Sequence, residues 1–541
     1  MITLTGKKIS EGIAIGRLAF FKRGAREVRR IYVEDVRKEL ARFQKACEKA
    51  AVELQDLYAA MTKEIGEVNA SMFEMQQMVL NDTEFIDGIT GIIKEQRLNA
   101  DYAVKEATNR FIEKYASRDA SYVRGHEADV RDVESRILRI LARIRKEKML
   151  IDEPFIMAAR ELYPSEAAQL EASKVLGIVT MFGTINSHTA TIARTKEIPS
   201  VIGTGEALKK EYEGKMVIID GFEGRIYIEP DQTTLSRMQE KKRTALRKTE
   251  TLERLKGKEN VTQSGQKIDV CANIGAKEEI ESVLRNDSNG IGLFRSEFIY
   301  MESGTRFPTE EQQFQIYKLA AESMGAKRVV IRTADIGGEK SVDCLEITGE
   351  NNPAMGYRGI RVSLDKEEMF KIQLRAILRA SAFGNIAIMF PMISSMEEVL
   401  AAKSILEKVK QDLRNEKTLF DESVKTGVMI ETPAAVMISG ELAREVDFFS
   451  IGTNDLTQFT LGMDRTNRRT AGNFNSKHPA LIKMIRIVTN NVHLEGKRIS
   501  ICGDLAADLS MTAQFINMGI DELSVAPSQI LPLRKHIREL K

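Results

Sequence analysis

The pattern of apolar and polar positions changes rhythm along the chain. Residues 1 to about 21 are strand-like: Ile13–Phe21 reads as a strand flanked by Gly6, Gly12 and Gly16. From Val36 the apolar residues recur at Val36, Leu40, Phe43, Cys47, Ala50, Leu54 and Leu57, a helical stripe in a charged background. Asn81-Asp82 and Asn99-Ala100-Asp101 are cap or turn signals. A last stripe at Val130, Val133, Ile137, Leu141 and Ile144 predicts a helix from about Ser121 to Glu147. With no proline from 22 to 147, four such helices predict a bundle.

β character returns with Pro154–Ala159, then a helix start at Pro164-Ser165, then the apolar, β-branched run Val175–Met181. Small and apolar residues at helical spacing follow from His188 to Lys196, ended by Ile198-Pro199. Lys215–Asp220 and Arg225–Glu229, joined by Gly221–Gly224, read as a hairpin. The bundle thus interrupts one small α/β domain. Residues 231–260 are charged and free of β pattern; a helix of ~25 residues there would span ~38 Å as a linker.

From Lys267 the period becomes strand-then-helix. Strands are predicted at Ile268–Ile274, Gly290–Phe294, Arg328–Ile331, Ile386–Phe390, Gly427–Ile430, Phe448–Ile451, Arg498–Ile501 and Glu522–Val525. Amphipathic helices such as Met369–Phe383, Met396–Leu413 and Ala480–Leu494 lie between them, which fits a (β/α)8 barrel, with a doubly wound open sheet as the alternative.

Composition narrows the function. A chain of 541 residues exceeds one core. A net charge of +2 implies no polyanion-binding surface, and the absence of tryptophan with 6% aromatics argues against base stacking, so no nucleic-acid partner is expected. The four cysteines (Cys47, Cys271, Cys344, Cys502) have no metal spacing and read as free thiols of a reducing compartment. The N-terminus lacks a signal-peptide core and no apolar run reaches membrane-spanning length, so a cytoplasmic protein without membrane insertion is expected. Gly203-Thr204-Gly205 is no dinucleotide fingerprint. On the bundle, His126 has no evident partner, and Met72, Met75 and Met78 read first as core packing, second as an adaptable partner surface.

The chemistry gathers at two places. His188, one of only five histidines, stands at a helix start, where helix N–H groups favour an anion. It suits a phosphoryl carrier or, equally, a capped turn. In a barrel, functional groups follow the strands. Arg295, Arg332, Glu431, Asn454 with Asp455, and Cys502 follow five predicted strands, with Arg465 in the loop beyond Asp455. The three arginines suit phosphate and carboxylate oxygens. Glu431 and Asp455 are too few for a protein-only cage but match Mg²⁺ shared with a substrate anion. Cys502 can be a proton donor or a small buried apolar residue.

Five stretches carry a family resemblance: Ser187-His188-Thr189-Ala190, Gly292–Phe298 (GLFRSEF), Ile331–Gly338 (IRTADIGG), Thr453–Gln458 (TNDLTQ) and Cys502–Leu505 (CGDL). Together they resemble the phosphoenolpyruvate–protein phosphotransferase family, Enzyme I of the bacterial sugar phosphotransferase system. The resemblance covers nearly the whole chain. It implies a multidomain α/β fold: a swivelling phosphohistidine α/β domain (1–21 and 148–230), an inserted helical bundle (22–147), a linker helix (231–260) and a C-terminal (β/α)8 barrel (261–541). It implies that phosphoenolpyruvate binds in the barrel, held by Arg295, Arg332, Arg465, Asn454 and Asp455, with Mg²⁺ on Glu431 and Asp455. His188 would take the phosphoryl group, and Cys502 would protonate the leaving enolate to give pyruvate. The group would then pass to a histidine of the carrier HPr, docked on the bundle, as the first step of sugar uptake. A homodimer through the barrel is also implied.

The chain departs from the family at Phe182, Asn186 and Ala507, and it stops at Lys541, soon after the eighth predicted strand, without an expected final helical segment. Two other readings stand beside this one. A pyruvate phosphate dikinase-type enzyme would need a nucleotide-binding domain, and no Gly-rich phosphate loop precedes His188. A weakly active regulatory paralogue is the other.

Overall fold

The computed structural model describes residues 1–541 apart from 22–27, 71, 119, 144–152, 172, 185–186, 304–305, 338–341, 343–344, 346–351 and 465–473, and apart from the side chains of 63–69, 72, 115–118, 120–126, 188, 302 and 353. The chain forms two compact units, Met1–Thr249 and Glu250–Lys541.

The first unit is built on an eight-stranded sheet: β1 (Ile2–Thr5), β2 (Lys7–Ser10), β3 (Ile13–Phe20), β4 (Phe155–Ala159), β5 (Val175–Thr180), β6 (Ser200–Ile202), β7 (Met216–Asp220) and β8 (Arg225–Ile228). Its order is β1-β8-β7-β3-β4-β5-β6-β2. The four strands β3 to β6 run parallel, and antiparallel neighbours complete both edges. β4 is buried at every position, as expected of a parallel strand covered on both faces. Its period-two alternation sends Phe155 and Met157 to one apolar layer and Ile156 and Ala158 to the other.

Between β3 and β4 the described residues are helical over five stretches, Val36–Ala70, Met72–Asn81, Thr83–Gln96, Ala100–Arg118 and Ala120–Leu141, which make the predicted bundle. The fifth stretch ends at Leu141, short of Glu147. Asp82 caps the third by accepting from the Phe85 N–H at 2.9 Å. The bundle has its own core, with Phe43, Leu54, Phe85, Ile89, Val104, Val133 and Ile137. Leu57, Met61 and Phe73 leave it to pack against the sheet layer of Phe155 and Met157. Met78 is 67% exposed, so core packing fails there because it sits on the outer face of its helix. The side chains of Met72 and His126 lie outside the described residues. A buried clasp joins bundle to sheet unit: Asp132 accepts from the Ser165 N–H at 2.8 Å and hydroxyl at 2.5 Å, and from Gln76 at 3.1 Å. The charged segment after β8 forms the helix Gln232–Glu253, whose Met238 packs on Ile13, Ile218 and Tyr227.

The second unit is a closed barrel of eight parallel strands: β9 (Asp269–Ile274), β10 (Ile291–Arg295), β11 (Val329–Arg332), β12 (Ile386–Phe390), β13 (Lys425–Ile430), β14 (Phe448–Ile451), β15 (Arg498–Ile501) and β16 (Glu522–Val525). β16 pairs with β9 and closes the ring, which rules out the open sheet. Each predicted strand is present; β13 begins at Lys425, two residues before Gly427. Leu293, Val330, Ala387, Met389, Met429, Phe448 and Cys502 fill the interior, while a larger apolar layer joins the strands to the surrounding helices. The helix Ile530–Glu539 follows β16. Its Arg534, 2% exposed, donates to Asn260, to the Leu255 carbonyl and to Asp287, tying the last helix to the barrel entrance.

Candidate active site

The first unit presents the histidine turn. β5 ends at Thr180, and the chain turns through Gly183, whose φ of +132° lies where side chains are rarely tolerated. Ser187 caps the next helix, His188–Thr195, by accepting from the Ala190 N–H at 3.2 Å. His188 is therefore the first residue of a capped helix, at the carboxyl ends of parallel strands, where anions are favoured. Its side chain and residue Asn186 lie outside the described residues. The Thr189 hydroxyl donates to the Leu162 carbonyl at 2.8 Å and fastens this helix to the loop after β4.

The second unit collects most of the remaining candidates at one mouth. Arg295 and Arg332 are the last residues of β10 and β11, and Glu431 and Cys502 directly follow β13 and β15. Asn454 and Asp455 occupy the first turn of the helix Thr453–Leu461 after β14. Parallel strands closed into a barrel aim all these ends the same way. Arg465 lies outside the described residues.

These side chains are bound into a charge network. Arg332, 4% exposed, is ion-paired with Glu297 and, at 3.2 Å, with Asp335. Arg358 reaches Asp335 at 3.0 Å and Asp455 at 3.4 Å. Glu431 accepts from the Met392 N–H at 2.6 Å. Met392 donates from the left-handed region at φ 56°, a conformation costing ~1 kcal/mol or more that the surroundings must hold. Gly359 faces it, and a Cβ there would come within 2.8 Å of the Met392 Cβ. The Asn454 carbonyl oxygen accepts from the Asp504 N–H at 3.1 Å, which leaves its NH₂ as the group to donate outward. Gly503 permits this approach, because a Cβ there would fall 1.9 Å from the Thr453 hydroxyl.

Burial, with the neighbouring carboxylates of Asp455 and Asp335, pushes the Glu431 carboxyl up to about 8 against the pull of Arg332 and Arg358. Burial works against the Arg332 charge, but Glu297, Asp335 and Glu431 hold that guanidinium above its ordinary value. Burial raises the Cys502 thiol to about 11, opposed by Ser450 and Arg332. Cys502 is therefore a protonated thiol at neutral pH. Glu297, Asp335, Glu431 and Asp455 thus share one mouth with Arg332 and Arg358, and the raised Glu431 carboxyl marks how closely the carboxylates crowd. Among the described residues no group of three or more His, Cys, Asp or Glu side chains is set to hold a metal, so the pair Glu431 and Asp455 needs further oxygens from a ligand.

Sequence reasoning missed Glu297, Asp335 and Arg358. The first two lie inside quoted motifs, three or fewer residues past strand ends, and were readable there as partners for Arg332. Arg358 sits in the long excursion between β11 and β12, where no strand end marks it.

Models of the PEP-utilising enzymes match the chain in three pieces: the N-terminal domain over residues 5–125, the mobile domain over 151–224 and the PEP-binding domain over 249–541. The class is thus a PEP-utilising enzyme. At full length, the chain is 38% identical over 538 residues to a phosphoenolpyruvate-protein phosphotransferase of Listeria innocua, covering 99% of this chain and 94% of that protein. It is 37% identical to those of Staphylococcus carnosus and Haemophilus influenzae, again with 99% and 94% covered. The chain belongs to the phosphoenolpyruvate-protein phosphotransferase family, and it is a transferase of phosphorus-containing groups.

Proposed function

We propose that the protein takes the phosphoryl group of phosphoenolpyruvate onto His188, releases pyruvate, and passes the group to a histidine of the carrier HPr, the first step of phosphotransferase-system sugar uptake. The observation that carries this reading is the barrel mouth, where arginines, paired carboxylates and a protonated thiol converge. Arg295, Arg332, Arg465 and the Asn454 amide hold the substrate's phosphate and carboxylate, neutralising the charge that a loose phosphoryl transfer spreads over its oxygens. An imidazole nitrogen of His188 attacks phosphorus, and the bond from phosphorus to the enol oxygen breaks. The enolate carbon takes the proton of the Cys502 thiol to give pyruvate, and solvent later restores that proton. Glu431 and Asp455 would hold Mg²⁺, hard oxygen donors for a hard cation, and bound there it supplies further charge neutralisation to the substrate oxygens.

The domain bounds given above follow this assignment, with 1–21 and 148–230 carrying His188, 22–147 the HPr dock, 231–260 a linker and 261–541 the barrel. The exposed Met78 supports a protein-docking face on the bundle. A homodimer through the barrel completes the assembly. No described helix is long and apolar enough to cross a membrane, and Cys47, Cys271 and Cys502 are free, which supports a cytoplasmic setting.

Phosphoenolpyruvate labelled in its phosphate, with Mg²⁺, tests this: an acid-labile, base-stable label on the wild type and none on His188→Ala is expected. No label on either overturns it, and nucleotide-dependent labelling would point to a dikinase.

A further inference from the structure

The loop that follows β4 and the turn that follows β5 meet beside the histidine helix, and they bring an unusual pair together. Ala159 and Thr180 are partners in the parallel register of β4 and β5, and the contact continues past the strands, where the Phe182 N–H donates to the Arg160 carbonyl at 2.9 Å. The Arg160 guanidinium lies over the Phe182 ring, 5.4 Å from its centre. The Thr180 hydroxyl donates to the Phe182 carbonyl at 2.6 Å, so the ring is held by its backbone at the start of the turn. Arg160 is exposed, and no carboxylate among the described residues pairs with it. Two residues beyond it, Leu162 accepts the Thr189 hydroxyl, the residue next to His188. An aromatic ring 41% exposed at the start of this turn, with an arginine laid on it, leaves the guanidinium with donors directed outward.

We propose that Arg160, shelved on Phe182, is the cation that meets the phosphoryl group while His188 carries it. The inference rests on the assignment of the phosphoryl group to His188. A phosphoryl group on imidazole brings close to two negative charges to the start of a helix, and the helix end alone supplies only a fraction of one positive charge. Arg160 supplies a full charge from the neighbouring loop, and its guanidinium fork matches phosphate oxygens. Phe182 then acts as a positioning residue, fixing a side chain that would otherwise sample many rotamers.

The full-length protein, with labelled phosphoenolpyruvate and Mg²⁺, tests this by comparing wild type, Arg160→Gln, Arg160→Lys, Phe182→Leu and His188→Ala. Arg160→Gln is expected to slow label incorporation about tenfold, one charge-assisted contact, and to shorten the half-life of the isolated phosphoprotein. KM for phosphoenolpyruvate should not change, since the substrate is bound in the barrel unit. Arg160→Lys should recover part of the rate and Phe182→Leu should fall between, with the losses shrinking at high salt. Wild-type labelling rate and phosphoprotein half-life in Arg160→Gln, with His188→Ala silent, overturn the role of Arg160 alone. A label persisting on His188→Ala overturns the assignment of His188 itself.

Discussion

Asn273, the penultimate residue of β9, donates its amide to the Cys502 carbonyl at 2.8 Å and to the Ser524 carbonyl at 2.9 Å. Its own carbonyl oxygen accepts the Ser524 hydroxyl at 2.6 Å. One side chain thus fixes the backbone of the proposed proton donor from across the barrel seam. Asn273→Ala leaves two carbonyls without their donor and lets the thiol drift. The expected result is a fall in kcat of about tenfold with KM for phosphoenolpyruvate nearly unchanged, read from steady-state pyruvate release. A matching rise in KM would show instead that the binding surface has collapsed.

Cys502 should be slow to alkylate. With its thiol raised to about 11, it carries roughly a hundredth of the thiolate of an ordinary cysteine at pH 8. Mass spectrometry of iodoacetamide-treated protein should show Cys502 modification climbing about tenfold per pH unit toward pH 11, for as long as the fold survives. Rapid labelling at pH 7 contradicts the acid role.

Glu431 is held against its preference, and Glu431→Gln should show it. The folded carboxyl titrates near 8, above its unfolded value, so it binds a proton in the native state that the unfolded chain has already lost. Stability therefore declines as pH rises from about 4.5 to 8 and is level above. In EDTA, Glu431→Gln should be more stable than wild type by about 1 kcal/mol or more at pH 8, with the gain vanishing near pH 4, since Gln can still accept the Met392 N–H. The same variant should take up no label. A loss of stability at pH 8 would refute this.

Arg534 and Asp287 carry the opposite sign. Burial raises the Asp287 carboxyl, but the Gly257 N–H and the Arg534 guanidinium outweigh it and hold the group below its ordinary value. Its contribution is present above about pH 4 and is lost as pH falls through the folded value. Asp287→Asn should flatten the acid limb of the stability profile of the barrel unit. Arg534→Ala should cost about 3 kcal/mol or more in urea unfolding, because it abandons a buried set of acceptors.

Much of this was legible in the chain. The barrel strands announce themselves by β-branched runs at regular spacing, and Arg332, Glu431 and Cys502 stand out because a charge or thiol directly follows such a run. Met392 was not readable, since its role comes from a backbone angle that methionine rarely adopts. Asn273 was hidden inside a strand, where period-two alternation marks it only as one side of the pleat. Arg358 depends on a fold-back of the chain between β11 and β12 that no local periodicity encodes.

β3 and β4 are parallel neighbours, with Arg17–Phe20 in register with Phe155–Ala158. A hairpin cannot join such strands; a crossover is compulsory, and a dozen residues would suffice. Here that obligatory bridge has swollen into the entire bundle. The bundle is therefore a cassette spliced into a connection the sheet needed anyway. A lineage could exchange the cassette for another helical cargo without rewriting a strand of the scaffold that carries His188.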